Sequence, residues 1–527
     1  MKRRPDLDEG GKPIAAGGFG CVFLPRLKCK DKNIEEKLSR SGKKYVSKLM
    51  MNKEAADEER EMMNVSEILK TIPKSSSYFL LADTHVCSVD TLSSSDLEGF
   101  NKKCNPLLRE GLEANNINNR LNRVKSINIP YGGEELSDFM DGLSPDLLAG
   151  NKESEQQFGF VNLALVNLLN SAIVPMNHAG LLHHDLKAAN ILIEPADILY
   201  GKVPLKIIDW GLAVSTKHTY GAVPHGSRSR PMQFNLPFGV ILLSDSSKAL
   251  IGDYMKSIRA ETLGQGEAKT IAVRVIQSTI ARRGRGHIKY IMSQLKSLTN
   301  PYFSDATIVQ DAMPTSSCYT SGLLAFDYIV DNISDIIIKY TKEGNFQRDR
   351  YFNEVYTHNV DVWGFLTAYM DLISHPASYK LFRMNKLFRG ISDLVFKYCF
   401  GTQYASRPIP INILSRELRD LNNLIRFNNK PLTKPVTPPR AITPPRAITP
   451  PRAISIRSSP KAQSVVSLRG RKRCPKGYRK NNKTQKCVKK GTKQTRKSPS
   501  EISLKGKKRC RKGFNKNPKT GKCKKKR

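Results

Sequence analysis

Residues 183–192 read HHDLKAANIL, and residues 206–213 read KIIDWGLA. Polar side chains occur here at short, regular intervals between two strand-like runs. The positions able to carry chemistry are Asp185, Lys187, Asn190 and Asp209. Such a set can accept a proton, neutralise an anion and hold a divalent cation through oxygen ligands. We therefore predict a catalytic loop followed by a metal-binding loop.

The spacing H-x-D-x-K-x-x-N, followed by D-x-G, resembles the catalytic and metal-binding loops of protein kinases. The resemblance implies phosphoryl transfer from ATP to a protein hydroxyl, with Mg²⁺ as the metal. In such a site Asp185 would accept the hydroxyl proton, and Lys187 would steady the γ-phosphoryl group. Asn190 and Asp209 would bind Mg²⁺. The Asp-Leu-Lys order is similar to serine/threonine-directed enzymes rather than tyrosine kinases.

A glycine-rich turn precedes this loop, as the resemblance requires. Residues 14–23 read IAAGGFGCVF and match the pattern G-x-G-x-x-G-x-V, except that Ala15 replaces the first glycine. Gly17 and Gly20 lack a Cβ atom where main chain is expected to lie against phosphate oxygens, and Val22 can cover the adenine. The predicted nucleotide-binding residues of the turn are Ile14, Ala15, Ala16, Gly17, Gly18, Phe19, Gly20, Cys21 and Val22.

The next strand and helix are expected to supply an ion pair. Residues 45–50 alternate as a half-buried strand, and Lys48 occupies the position of the lysine that holds the α and β phosphates in kinases. Residues 54–72 have a helical apolar stripe at Met62, Val65, Ile68, Leu69 and Ile72. Glu61 is the preferred partner of Lys48, because Val65 and Ile68 would then face the interior. The alternatives on this helix are Glu58, Glu59 and Glu67.

The rest of the body follows the order of a two-lobed kinase with one large departure. A strand at residues 125–131 runs into two glycines and resembles the hinge that binds the adenine edge. Residues 230–238 read RPMQFNLPF and lie where the activation segment should close, but they lack its glutamate. The D-x-W signature of the following helix appears only at residues 361–363. The insertion between them, about residues 239–355, departs from cellular kinases and alters the expected peptide-binding platform.

Several short motifs narrow the resemblance to the serine/threonine kinases of giant DNA viruses. They lie in residues 17–23, 27–30, 46–50, 129–133 and 233–238, and the likeness covers roughly residues 10–400. It implies action in the host cytoplasm or in the virion. His184 stands where many kinases have an arginine that pairs with a phosphorylated loop. Because histidine is shorter and titratable, activation by loop phosphorylation is less expected.

The net charge of +40 is concentrated at the carboxyl end of the chain. Residues 430–527 contain 34 of the 87 Lys and Arg residues but only one of the 47 acidic residues, Glu501. Residues 1–429 therefore have an ordinary globular composition. The tail cannot bury enough apolar surface to offset its chain entropy, and we expect it to be largely disordered when free.

Membrane and secretion signals are not apparent in the sequence. No uninterrupted apolar stretch approaches the ~20 residues that span a bilayer, and the basic amino end is not followed by an apolar signal core. We expect a soluble protein that is neither secreted nor bound to a membrane. The cysteines of the body lack metal-ligand spacing and are expected to be thiols in a reducing compartment. They are Cys21, Cys29, Cys87, Cys104, Cys318 and Cys399.

The tail contains two kinds of repeat. The segment TPPRAI occurs three times from residue 437 onward and predicts an extended spacer, or alternatively a docking or self-phosphorylation site. Cysteine pairs then recur at Cys474 with Cys487 and at Cys510 with Cys523. Because C-x-x-C pairs are missing, a metal site is not expected, and each copy is predicted to close a small disulfide loop. An aromatic residue among lysines fits nucleic-acid contact, the alternative being a solvated basic tail.

The resemblance implies an α+β, two-lobed protein-kinase-like fold, and the composition of the tail adds a disordered basic extension. The expected parts are a small β-rich lobe with the hinge at 10–133, a mainly helical lobe at 134–429, a Pro-rich linker at 430–470 and cysteine repeats at 471–527. The expected function is an ATP-dependent serine/threonine protein kinase whose tail binds nucleic acid or an acidic protein. The alternatives are a non-catalytic scaffold acting through its tail and a kinase of small molecules.

Overall fold

The computed structural model describes residues 11–81, 83–299, 324–373 and 385–432, together with six short strands in the tail. The chain divides into two compact units, Met1–Val436 and Thr437–Arg527. The first unit is α+β, with a sheet-rich amino-terminal region followed by a mostly helical remainder.

The amino-terminal region is built on a five-stranded antiparallel sheet. Its strands are β1 (Lys12–Ala16), β2 (Gly20–Leu24), β3 (Tyr45–Met51), β4 (His85–Cys87) and β5 (Val124–Pro130), arranged in the order β1-β2-β3-β5-β4. The long central pair β3 and β5 runs in register from Tyr45 opposite Pro130 to Met51 opposite Val124. Alternate residues of β3 therefore face opposite sides of the sheet, as the sequence predicts.

Each face of this sheet is covered by different side chains. On one face, Leu49 packs with Phe23 and Phe100. On the other, Met50 and Ile127 pack against Ala55 of helix α2 (Asn52–Leu69), which begins directly after β3. A second helix, α1 (Lys32–Arg40), lies between β2 and β3 and is capped by the side chain of Asp31. The sheet is thus a small two-sided layer between helices and loops.

Two disulfides cross the sheet-rich region, which corrects the expectation of free thiols. Cys21 of β2 is bonded to Cys104, and Cys29 is bonded to Cys87 of β4, with Cα–Cα distances of 5.1 and 5.8 Å. The partners are 83 and 58 residues apart, so sequence spacing gave no signal for either pair. Cys399 is a buried free thiol, as expected, while Cys318 lies outside the described residues.

Most of the remainder is helical. Besides α1 and α2, the α-helices in the described part of the first unit are Ser75–Tyr78, Phe100–Lys103, Asn105–Arg109, Leu136–Leu148, Lys152–Leu168, Val174–His178, His225–Arg228, Asp245–Ile258, Gln265–Arg283, Ile288–Thr299, Leu324–Tyr340, Arg348–Tyr351, Thr357–Thr367, Met370–Ile373, Lys386–Val395 and Ile411–Asp420. Short 3-10 or π segments are Ile117–Arg123, Leu169–Ile173, Ala188–Asn190, Pro195–Tyr200, Phe238–Leu243, Phe352–Tyr356, Phe396–Phe400, Thr402–Tyr404 and Leu421–Leu424.

Small sheets position the loops between these helices. They are formed by β6 (Glu134–Glu135), β7 (Leu181–Leu182), β8 (Ile191–Ile193), β9 (Leu205–Ile207), β10 (Val214–Ser215), β11 (Thr341–Lys342) and β12 (Asn345–Phe346). Strand β8 lies between β6 and β9, while β7 pairs with β10 and β11 with β12. The predicted catalytic loop therefore runs from β7 to β8.

The insertion predicted at about residues 239–355 is part of the main core rather than an appendage. Within its described part, Ile271 and Val275 of helix Gln265–Arg283 are buried in the same apolar cluster as Ile329 and Ile333 of helix Leu324–Tyr340. That cluster also holds Leu186, which belongs to the predicted catalytic loop. The insertion is thus folded onto the helical region.

One helical stretch, Lys152–His178, is long and apolar enough to cross a membrane by length and composition. However, 61% of its apolar window is buried inside the protein. Among the described residues this stretch therefore packs as a core helix.

The second unit contains two similar three-stranded antiparallel sheets. The first is formed by Val465–Val466, Tyr478–Lys480 and Cys487–Lys489, and the second by Glu501–Ile502, Phe514–Lys516 and Cys523–Lys525. Corresponding strands are offset equally along the chain, so the repeat extends back beyond the predicted cysteine segment. Three predictions concern residues or side chains outside the described part of the chain. They are the disorder of the rest of the tail, the extended Pro-rich linker and the disulfides of the tail.

Candidate active site

The main chain of the loop 183–192 is fixed by a buried carboxylate from a distant helix. Asp361, in helix Thr357–Thr367, accepts hydrogen bonds from the backbone N–H groups of His183 (2.8 Å) and His184 (3.0 Å). The side-chain amide of Asn177 donates to the same carboxylate at 2.6 Å. Burial raises the pKa of Asp361, whereas these donors act in the opposite direction by stabilising its charged form. Asp361 thereby anchors the main chain at the start of the loop.

Asp185 lies at the centre of a hydrogen-bonded group of side chains. Lys187 Nζ donates to Asp185 Oδ2 at 2.8 Å, and Asn190 Nδ2 donates to the same oxygen at 3.1 Å and to the Asp185 carbonyl at 2.7 Å. Asn235 Nδ2 donates to the other carboxylate oxygen, Oδ1, at 3.0 Å. Three predicted residues are thus brought together, and Asn235 joins them from outside the predicted loop.

The environment keeps Asp185 ionised. Burial of Asp185 alone would raise its pKa, but the hydrogen bond and positive charge of Lys187, with the amide of Asn235, outweigh that effect and lower the pKa. The two carboxylate oxygens already accept three hydrogen bonds from side chains, which leaves about one acceptor site for a further donor.

Asp209 occupies a strained turn directly after β9. It adopts a φ of 65°, in the left-handed region that non-glycine residues seldom occupy. The preceding Ile208 N–H donates to the carbonyl of Asn190 at 3.0 Å, which joins the two predicted metal-binding segments. Trp210 is buried beside the rings of His183 and Phe79, at centroid distances of 4.8 and 5.7 Å. The buried tryptophan holds the turn and leaves the Asp209 side chain exposed.

Lys48 pairs with Glu58, so the preference for Glu61 was wrong. Lys48 Nζ lies 2.7 and 2.6 Å from the two carboxylate oxygens of Glu58. Glu61 is one turn further along α2, and a side chain three residues away points to the same face but a different height. Burial, together with the charges of Glu58 and Asp57, raises the pKa of Glu61.

Glu58, Glu61 and Asp209 face a common space. All three line a pocket of about 50 Å³ whose walls include Leu80, Ile129 and Trp210. Glu58, which is the partner of Lys48, and the exposed Asp209 therefore line the same cleft. Sequence order alone did not require this arrangement.

The residues of the predicted nucleotide turn form the end of β1, the connection at 17–19 and the start of β2. Ile14, Ala15, Ala16, Gly17, Gly18 and Phe19 are exposed, and the Gly17 N–H donates to the Gly20 carbonyl at 3.0 Å. A Cβ atom at Gly20 would lie 2.9 Å from the Leu49 carbonyl, so its absence is required by packing of β2 on β3. A Cβ at Gly17 would meet nothing within 4 Å.

Two residues of that turn have different surroundings. Val22 is half-buried and lies opposite Lys48 in the pairing of β2 with β3. Cys21 points into the core and carries a disulfide, so its side chain does not face the same side as Val22. Cys21 therefore stays a predicted nucleotide-binding residue through its main chain, because its side chain is bonded to Cys104.

His184 is a buried neutral residue rather than a titrating one. Complete burial lowers the pKa of His184 to about 3, and the charge of Arg230 adds to the effect. Its Nε2 lies 3.5 Å from Ser227 Oγ, and Arg230 Nη2 donates to its carbonyl at 2.9 Å. Histidine is a titratable residue in general, but at this buried position the ring is neutral near pH 7. Its ring fills space between the loop and the segment around Ser227.

The residues missed by sequence reasoning all act across long sequence distances. Asn235 lies in the segment 230–238, which drew attention only because it lacks a glutamate. Asp361 was noted only as part of a D-x-W signature, and no pattern linked it to His183, which is 178 residues away. Glu58 and Glu61 share a face of α2, so only their height along the helix, counted from the end of β3, could have favoured Glu58.

The donor set can hold a divalent cation in combination with an anionic ligand. Because Asn190 Nδ2 donates to Asp185, its Oδ1 is the atom left to coordinate, and the Asp209 carboxylate forms no ion pair within the described part of the chain. Groups of three or more His, Cys, Asp or Glu side chains suited to a metal do not occur among the described residues. A site of this kind suits Mg²⁺, which usually takes one or two protein ligands with phosphate oxygens and water.

Comparison with known proteins does not identify a family. The sequence matches no protein-family model, and no curated protein matches it at a significant level. Any functional interpretation therefore depends on the motifs and on the geometry described above.

Proposed function

We propose that the protein is an ATP-dependent serine/threonine protein kinase with a two-lobed, kinase-like fold. The observation that carries the proposal is the hydrogen-bonded group of Asp185, Lys187 and Asn190. Asp209 is linked to this group, because the N–H of its neighbour Ile208 donates to the Asn190 carbonyl. These residue types and this connectivity meet the needs of phosphoryl transfer, which depends on positioning and on electrostatic stabilisation.

In the proposed reaction Asp185 acts as the proton acceptor. A serine or threonine hydroxyl placed against Oδ1 or Oδ2 gives its proton to the carboxylate while its oxygen forms a bond to the γ-phosphorus. The bond from that phosphorus to the β–γ bridging oxygen breaks, and ADP leaves. Lys187, whose Nζ is hydrogen-bonded to Asp185 Oδ2 in the structure, would lie beside the γ-phosphoryl group and offset its negative charge.

The nucleotide would bind between the sheet and the helical region. Lys48 is oriented by Glu58 and would contact phosphate oxygens, with the exposed main chain from Ile14 to Phe19 covering them. Mg²⁺ held by Asn190 Oδ1 and Asp209 would neutralise the phosphates. The half-buried Val22 beside Lys48 can cover an apolar base.

The polycationic tail supports a second element of the proposal. Its charge favours nucleic acid or an acidic protein as a partner, through residues 471–527. The resemblance to kinases of giant DNA viruses suggests the host cytoplasm or the virion as the place of action.

The proposal is tested by phosphate transfer from labelled ATP with Mg²⁺ onto generic protein substrates and onto the protein itself. Asp185→Asn should lower transfer by about a thousandfold or more, because the proton acceptor is lost while the shape is kept. Asp420→Asn, an exposed substitution on another helix, should leave transfer unchanged.

Two outcomes would contradict the proposal. Transfer that persists in Asp185→Asn would show that this residue is not the proton acceptor. ATP binding without transfer to any protein, or transfer only to a small-molecule acceptor, would favour the scaffold or the small-molecule kinase instead.

A further inference from the structure

The described part of the insertion places a basic turn against the segment that carries Asn235. Helix Gln265–Arg283 ends at this turn, and helix Ile288–Thr299 begins after it. The His287 N–H donates to the Met232 carbonyl at 3.2 Å, and Arg283 Nη2 donates to the Arg228 carbonyl at 3.3 Å. The turn is therefore anchored to the chain close to Asp185.

A glycine allows this turn to lie close against the main chain of Met232. Gly286 has a φ of 51°, and a Cβ atom there would lie 2.8 Å from the Met232 carbonyl. A larger residue would both strain the backbone and push the turn away from Met232. The approach of the insertion to this segment is thus specified by the sequence.

Aromatic contacts continue this surface toward the catalytic carboxylate. The ring of Phe234 stacks on that of His287 at 5.8 Å and meets Tyr290 edge-on at 4.9 Å. The next residue, Asn235, donates to Asp185 Oδ1 at 3.0 Å. Partial burial lowers the pKa of His287, and the charge of Lys187 adds to this effect, which agrees with a position beside the catalytic pair.

The charge of this region has one sign. Between Glu267 and Asp305 the sequence contains seven Lys or Arg residues and no acidic residue. Four basic side chains belong to this region and to the start of the next helix. All four are exposed, and none of them forms an ion pair within the described part of the chain. They are Arg282, Arg283, Arg285 and Lys289.

We propose that this basic turn, residues 282–290, is a recognition surface for the protein substrate and that it selects hydroxyl-bearing segments flanked by carboxylate side chains. The inference rests on the proposed kinase function and names its substrate class. A hydroxyl that reaches Asp185 brings the neighbouring peptide past Phe234 and His287. Arginine binds carboxylates through two parallel N–H groups, so acidic residues there gain directional contacts.

A peptide fits this surface better than a nucleic acid. The cations lie in one turn beside the catalytic carboxylate, whereas proteins that follow a single strand use a longer groove with successive stacking rings. The phosphates of a nucleic acid would also offer no serine or threonine hydroxyl to Asp185. Binding of acidic segments should weaken as salt is added, since the arginines are exposed.

The test uses the full chain and four serine peptides of equal length: neutral, lysine-flanked, and with glutamates on either the amino or the carboxyl side of the serine. Wild type should prefer one acidic peptide over the neutral peptide in kcat/KM. The double variant Arg282→Glu/Arg285→Glu should lower kcat/KM for that peptide by about tenfold, mainly through KM, and improve the lysine-flanked peptide. Arg283 is left unchanged because its side chain anchors the turn.

Matched variants separate recognition from folding. Arg282→Lys/Arg285→Lys should retain most of the acidic preference, and Arg419→Glu, an exposed charge reversal on helix Ile411–Asp420, should retain all of it. All variants should have the thermal unfolding midpoint of wild type. Equal loss on every peptide in the double glutamate variant would indicate damage to the site and overturn the inference.

The remaining outcomes distinguish this inference from the proposed function. Transfer that depends on Asp185 but is equal for acidic and neutral peptides overturns the recognition surface alone. A complete lack of Asp185-dependent transfer overturns both. If the double glutamate variant instead weakens binding of a single-stranded oligonucleotide and leaves the peptide kinetics unchanged, the turn is a nucleic-acid site and the inference is wrong.

Discussion

At the scale of single residues, the partner of Lys48 is decided by helical height. Glu58 and Glu61 share one face of α2, but only Glu58 is level with the lysine. Glu58→Gln should lower kcat/KM for ATP by about tenfold to a hundredfold, because Lys48 loses the group that orients it. Glu61→Gln serves as the matched control and should change it by less than about threefold. The measurement is steady-state kinetics at varied ATP concentration. An equal loss of kcat/KM in the two variants would contradict Glu58 as the partner of Lys48.

A second residue-scale prediction concerns pH. The amide of Asn235 stabilises the charged form of Asp185 and so lowers its pKa. In Asn235→Ala the carboxyl stays protonated to a higher pH, so the acidic limb of the kcat/KM profile should move upward. Asn423→Ala, at an exposed amide, should leave the profile in place. An unchanged or downward shift in Asn235→Ala would mean that the amide does not act on the proton acceptor.

At the scale of elements, the two disulfides join parts of the sheet-rich region that are distant in sequence. Cys21–Cys104 ties β2 to the helices that cover the sheet, and Cys29–Cys87 ties the chain before α1 to β4. Each closes a long loop of the unfolded chain, a constraint worth about 2–4 kcal/mol in typical cases. The sheet that holds Lys48 and the glycine-rich turn is therefore expected to depend on oxidation.

This dependence gives a prediction for stability. Reductant, or Cys21→Ser/Cys104→Ser, should lower the unfolding midpoint measured by calorimetry. Cys399→Ser should respond to reductant as wild type does, because Cys399 is a free thiol. Peptide mapping without reduction gives an independent check. Free thiols at all four positions in protein purified without reductant would contradict the disulfides.

At the scale of the whole molecule, the body and the tail are separate units. A chain ending at Val436 should keep the unfolding midpoint of the full chain, since the helical core and the sheet lie within that unit. It should keep activity on short peptides but lose most of its affinity for nucleic acid and most of the salt dependence of that binding. Fluorescence anisotropy with an oligonucleotide at several salt concentrations measures this. Unchanged binding by the shortened chain would assign the binding to the body instead.

The sequence by itself determined the local chemistry of the site. Asp185, Lys187 and Asn190 lie within six residues, so their meeting depends only on the course of one loop. The alternation of β3 and the apolar stripe of α2 were also readable, because periodicity reports which face is buried. The resemblance to protein kinases implied an α+β chain with a sheet-rich beginning and a helical remainder, and the described part of the chain agrees with that coarse description.

The tertiary structure alone decided the contacts between distant segments. The Asp361 carboxylate bonded to His183, the Asn235 amide on Asp185, the two disulfides and the buried, neutral His184 all depend on elements far apart in the chain. The packing of the insertion close to Asp185 likewise depends on segments that are far apart in the chain. Local spacing has no information about which distant segments will meet, because packing of the apolar core selects those pairs.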